Sequence, residues 1–203
     1  MPLTSLSKEQ QSAFSARLKE FQMKPEQVVK QVNSKTHKGP IVLSADPAVS
    51  TIPPHIVTLT SLDEAKRLAG NEDELFENGL MQNAHEALPE WPAALNDKDR
   101  TELTPEQNRL INKAHTAYIY GHSKLVSSYK AIIEKLNYPV QVATFAIEEL
   151  CIDKTNSPFI VKDPAGLNVG TLTICEGGYI QTESNTSITA QVMIKSDKTS
   201  CPQ

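Results

Sequence analysis

Phe145-Ala146-Ile147-Glu148-Glu149-Leu150-Cys151-Ile152 returns as Leu167-Asn168-Val169-Gly170-Thr171-Leu172-Thr173-Ile174, and again, one residue short, as Ile188-Thr189-Ala190-Gln191-Val192-Met193-Ile194. The apolar residues Phe145, Ile147, Leu150 and Ile152 recur as Leu167, Val169, Leu172 and Ile174 at a spacing of 22. A looser spacing of 20 to 21 carries them to Ile188, Ala190, Val192 and Ile194. Between copies a single apolar partner recurs, Ile160 and then Ile180. A fixed period of this size bears on architecture before any other feature, because each copy is one supersecondary unit that must bury its face on the next.

Two arrangements fit. In the first, each copy is a rung of a short parallel β-solenoid, with Leu172 and Ile174 stacked on their equivalents and Gly177-Gly178 at a corner. In the second, each period is an antiparallel hairpin with Glu176-Gly177-Gly178 as its loop, which gives a small sandwich. In the solenoid arrangement the uncapped last rung leaves an edge that invites another chain. Leu150, Ile152, Leu172, Ile174 and Ile194 are the expected β core.

Outward from the repeat, the chain before Pro139 reads as mainly helical. Ser7 with Gln10 three residues on is a capping box, and Phe14, Leu18 and Phe21 follow as an apolar stripe. Pro25 opens a short helix carrying Val28, Val29 and Val32. Residues 36–60 are extended and punctuated by prolines, around Ile41-Val42-Leu43 and Ile56-Val57-Thr58-Leu59. Ser61 with Glu64 starts a further helix that stops near Gly70.

Thr104-Pro105-Glu106-Gln107 combines an N-cap, a first-turn proline and a capping glutamine. From there Ile111, Ala114, Tyr118, Gly121, Leu125, Tyr129, Ile132 and Leu136 keep a helical spacing. The spacing predicts one amphipathic helix roughly 45–50 Å long. Its stripe, with Tyr118, Leu125, Tyr129 and Ile132 as contacts, needs cover from the N-terminal helices or a second copy. The expected class is therefore α+β: a helical region over 1–137, with the extended segment at 36–60, and an all-β repeat lobe over 138–203.

Composition narrows function mainly by exclusion. A net charge of −4 and scattered lysines argue against nucleic-acid binding, which needs clustered positive charge. No apolar run is long enough to span a bilayer, and no signal-peptide pattern opens the chain. Three cysteines make no disulfide framework and no paired metal motif. These features point to the cytoplasm, with secretion by a route that needs no signal peptide as the alternative. No cofactor loop and no metal motif is present; His85-Glu86 begins like a zinc-protease motif but Leu88-Pro89 follows.

The remaining candidates are binding residues. His115 and His122 sit seven apart with Tyr118 between them, which puts the two imidazoles about 10 Å apart along a helix, too far to share one ion within a monomer, though a dimer could still bring such a pair together. Their plain reading is as polar neighbours of the apolar stripe. Trp91, between Pro89 and Pro92, is either a partner anchor or a pin for its own loop. No catalytic residue is nominated. The leading expectation is a non-enzymatic assembly protein that self-associates through its long helix and β lobe, taking a protein or carbohydrate as any further partner. One alternative is a secreted effector or toxin component whose β lobe binds a receptor or carbohydrate. Another is an enzyme with an unfamiliar site near His115, Tyr118 and His122.

Overall fold

The structure, a computed structural model, describes residues 5–201. Among them the chain forms two parallel sheets and five α-helices, an α/β architecture. It divides into two compact units, one comprising the described residues up to Val57 together with those from Val142 onward, the other Thr58–Gln141.

The first unit holds the strands, except for the last two residues of β3 and the first two of β4, which fall in the second. In chain order these are β1 (Val29–Val32), β2 (Ile41–Leu43), β3 (His55–Leu59), β4 (Val140–Ile152), β5 (Phe159–Val161), β6 (Ala165–Cys175), β7 (Ile180–Thr182) and β8 (Thr186–Ser196). One sheet runs β1-β4-β6-β8, with β3 also pairing β4; the other runs β2-β5-β7. From β4 onward the chain alternates between the two sheets, so each repeat adds one strand to each. Every pair along these two orders is parallel. Parallel pairing needs a crossover rather than a tight turn, so the hairpin arrangement is excluded. Phe145 stands opposite Leu167, Ile147 opposite Val169, Leu150 opposite Leu172 and Ile152 opposite Ile174.

These residues form the core. Phe145, Ile147, Leu150, Ile152, Leu167, Val169 and Leu172 are buried with Ile41, Leu43, Phe159 and Val161 of the second sheet. The inward phase slips by one residue at Glu148 and Gly170, where the ladder is interrupted. That slip explains why the apolar positions run 145, 147, then 150, 152 in place of strict alternation. On the other face, α1 (Lys8–Glu20) packs on β6, and its Phe14 carbonyl accepts a bond from Asn168 Nδ2 at 3.0 Å. Ser7 caps α1 reciprocally with Gln10.

Four expectations need correction. The β structure is not a C-terminal lobe of its own, because β1 and β2 pair with β4 and β5 across an offset of 118 residues. Val29 and Val32 therefore sit in a strand, preceded by a single 3-10 turn at Pro25–Gln27. Their partners Ile147 and Leu150 supply a buried sheet face, and β-branched residues favour that setting. The repeat from β6 to β8 holds a constant offset of 21, so Val192 and Ile194 face Thr171 and Thr173, while Met193 faces Leu172. Ile194 is half-buried outside the central core.

The long helix is also absent. Within the second unit α4 (Pro105–Tyr120) ends at Gly121, a 3-10 stretch spans Ser123–Tyr129 with Val126 out of helical geometry, and α5 (Lys130–Asn137) follows. The cause lies at the α4 end. Lys66 Nζ, from α2 (Leu62–Ala69), donates to the carbonyls of Tyr118 at 3.0 Å and Gly121 at 2.6 Å. Asp73, which opens α3 (Asp73–Glu77), accepts from the Ser123 backbone at 2.8 Å. With these end groups satisfied, the break costs the chain few hydrogen bonds. The folded-back segments then bury Tyr118, Val126, Tyr129, Ile132 and Ile133 against Ile111 and Leu62.

Candidate functional site

The most distinctive chemistry lies at the β8 end of the first unit. β8 is the last strand of its sheet, 11 residues long, and no described strand lies beyond it. Its inward residues Ile188 and Ala190 are only partly buried, whereas their partners Leu167 and Val169 are fully buried. The physical reason is that the second sheet stops at β7, so no described strand roofs the β8 position. Met193, exposed at 67%, ends the column that runs through Val32, Leu150 and Leu172.

Beside this end the three cysteines converge. Cys151 and Cys201 form a disulfide, and Cys175 Sγ lies 3.8 Å from Cys151 Sγ. Cys151 stands opposite Thr173, two residues before Cys175, so the two side chains are diagonal neighbours on one face. The tail after β8 returns Cys201 to them: Glu176 N bonds Lys198 O at 2.9 Å, and Cys201 N bonds Asp153 Oδ2 at 3.1 Å. Asp153 is fully buried and also accepts from Ser34 Oγ at 2.6 Å and Thr155 N at 2.8 Å. Burial disfavours its charge, but these donors outweigh that and hold its carboxyl below the usual range. Burial, and then the Asp153 charge, push the Cys175 thiol up.

Cys175 also lines an open pocket of about 440 Å³ with Glu176, Gly177, Gly178, Lys195 and Asp197. Gly178 is required at its rim. A Cβ there would stand 2.4 Å from Ile152 O, closer than any side chain tolerates. The pairing of Cys151 with Cys201 corrects the expectation that the cysteines make no disulfide. Spacing alone does not reveal it, because Cys201 is brought back by backbone bonds that no motif encodes.

The other sequence candidates lie in the second unit and do not share one environment. His115 Nε2 is 3.3 Å from Tyr138 Oη, and burial, then the Arg100 charge, hold its pKa down. Tyr118 donates to Asp63 Oδ1 at 2.7 Å, and burial, with that bond, pushes its pKa up to about 12. His122 stacks on Phe76 and faces Glu77 at 3.6 Å. Trp91 is buried against Tyr129, whose hydroxyl donates to Pro89 O at 2.8 Å. Among the contact residues expected on the helix, Tyr118, Tyr129 and Ile132 are buried in this unit's own core and Leu125 is exposed.

Compared with known protein families, curated proteins and solved structures, the chain matches none. No helix among the described residues is long and apolar enough to cross a membrane.

Proposed function

We propose that this is a non-enzymatic assembly protein whose first unit joins a second copy through β8. The last strand carries this reading: no described strand pairs beyond β8, and Gln10 Nε2 of α1 donates to its Gln191 carbonyl at 3.4 Å. Thr186–Ser196 holds one charged residue, Lys195, and no proline, so it lacks most of the devices that blunt sheet edges. The opposite end of the sheet is built of short strands, the four residues of β1 and the five of β3, both paired to β4. A head-to-tail joint would use those short strands, whereas antiparallel pairing of β8 with its own copy uses 11 residues on each side and closes as a two-fold dimer. Because the stripe residues of α4 and α5 are occupied within their own unit, the reading rests on β8 alone. Sedimentation equilibrium over a wide concentration range tests it: the expected result is a reversible monomer–dimer step, and a strict monomer throughout rejects it.

The Cys151–Cys201 bond favours a second reading, a secreted effector whose β unit engages a receptor or carbohydrate, because disulfides persist in oxidising compartments. The redox state of that pair in protein trapped directly from cells separates the compartments. A reduced pair supports work in the cytoplasm, and an oxidised pair supports export.

A further inference from the structure

We infer that Cys151, Cys175 and Cys201, when reduced, form a three-thiolate binding site for a zinc-class divalent cation. The geometry comes first. All three sulfurs lie within 4.8 Å of one another. Zinc–thiolate bonds of about 2.3 Å in a tetrahedral array place ligand sulfurs about 3.8 Å apart. Cys151 and Cys175 already stand at that separation. Opening the Cys151–Cys201 bond lets the third sulfur move out to the same spacing, a change within the reach of side-chain rotation.

The supporting shell is built as well. Cys151 and Cys175 sit near the ends of adjacent strands in a fixed ladder, and Cys201 is held by its backbone bond to buried Asp153. Ligands positioned by such outer bonds lose little freedom when a metal binds. The fourth coordination position falls to water from the pocket that Cys175 lines. Three thiolates around a dication leave one net negative charge; Lys195 on the pocket wall and Lys198 in the tail act to offset it, against Glu176 and Asp197 on the same wall and the Asp153 charge.

The chemistry balances through a named reductant. A dithiol gives two electrons and two protons to the Cys151–Cys201 bond, yielding two thiols and its own cyclic disulfide. The three thiols then release three protons to solvent as three sulfur–metal bonds form. The disulfide and the metal are therefore mutually exclusive, and both tie the tail to the strand ends. The site does not depend on dimerisation through β8.

Cobalt(II) and zinc are the probes, offered to the full chain after reduction by a dithiol and removal of the excess. The expected result is one cobalt per chain, with thiolate-to-cobalt charge-transfer absorption and the visible bands of a tetrahedral ion, and displacement by zinc. Zinc raises the unfolding temperature of the reduced protein and leaves that of the oxidised protein unchanged. Cys175→Ser, which keeps the Cys151–Cys201 pair, weakens cobalt binding at least tenfold. The inference is overturned if reduced protein takes up no cobalt, if Cys175→Ser binds as tightly as the parent, or if a chain unfolded by reduction stays unfolded with zinc.

Discussion

Leu172 and Met193 are partners in the β6–β8 ladder, yet Leu172 is 3% exposed and Met193 67%. The same inward position is core in one repeat and surface in the next, because among the described residues the second sheet has no strand to roof β8. Substitution therefore separates folding from assembly. Leu172→Ala costs about 2–5 kcal/mol of stability through lost burial and the cavity left behind. Met193→Asp leaves the urea midpoint within error of the parent and weakens dimer formation at least tenfold, read by sedimentation equilibrium. A Met193→Asp protein that dimerises as before counts against β8 as the interface.

The buried Lys66 holds the turn that ends α4. Its ammonium bonds two carbonyls there and pairs with Asp73 Oδ1 at 3.0 Å, while lying over the Phe76 ring. Lys66→Met keeps most of the stem's packing but strands the carbonyls and the Asp73 charge, at a cost of about 3 kcal/mol. Asp73→Asn added to it recovers part of that loss, since the uncompensated charge is gone. Urea unfolding followed by the fluorescence of Trp91, the sole tryptophan, measures both variants within the same unit.

Charge placement in the second unit sets its pH limits. The bond from Lys130, then that from Tyr118, hold the Asp63 carboxyl below its ordinary value. Burial works against the Asp73 charge, but bonds from Ser123 and Lys66 bring its pKa down as well. A depressed folded pKa means the stabilisation is present above the unfolded value of 3.8 and drains as pH falls through the lower folded values. Tyr118 has the opposite sign. Its folded pKa, raised by burial to about 12, keeps its contribution below the unfolded value of 10 and loses it as pH climbs through 12. The Trp91-monitored midpoint falls at both extremes. A level midpoint well below pH 3.8 contradicts the acid half.

Local signals in this chain are legible, and long-range ones are not. Ser7 with Gln10 and Thr104 with Gln107 cap real helices, since a capping box needs only four residues to satisfy its donors. The offset of 22 between Phe145 and Leu167 is readable because the repeats are contiguous. Val29 and Ile41 belong to the same stack, but the helical unit stands between them and their partners, and no short-range pattern reaches that far. The apolar spacing from Ile111 to Leu136 imitates one helix because both segments bury one face in the same core. What breaks the helix is Lys66, dozens of residues earlier. The cysteine cluster depends likewise on tail bonds to Asp153 and Glu176.

Gly178 marks how tightly the corner before β7 packs. A Cβ would meet Ile152 O at 2.4 Å and Ile152 C at 2.8 Å, both backbone atoms that cannot swing aside. Gly178→Ala therefore forces a backbone shift and costs about 1–3 kcal/mol. Gly39→Ala meets no atom within 4 Å, and its penalty comes from a φ of +81° alone. Thermal unfolding of the two variants separates steric from conformational cost. A larger drop for Gly39→Ala than for Gly178→Ala contradicts the crowded corner.

The Cys151–Cys201 bond spans a sequence separation of 50. A cross-link closing a loop of that size removes unfolded-state entropy equivalent to about 4 kcal/mol, with native-state effects usually lowering the observed figure. Cys201→Ser therefore unfolds at lower urea than the oxidised parent by about 2–4 kcal/mol. With dithiol and a chelator present, the parent loses its cross-link and the two proteins converge, since only the loop closure distinguishes them. Cys175→Ser, which spares the bond, stays at the oxidised parent's midpoint when no reductant is added. If Cys201→Ser matches the oxidised parent, the tail contributes nothing through its bond to β4. If Cys175→Ser falls with it, the thiol beside the disulfide is needed for packing in its own right.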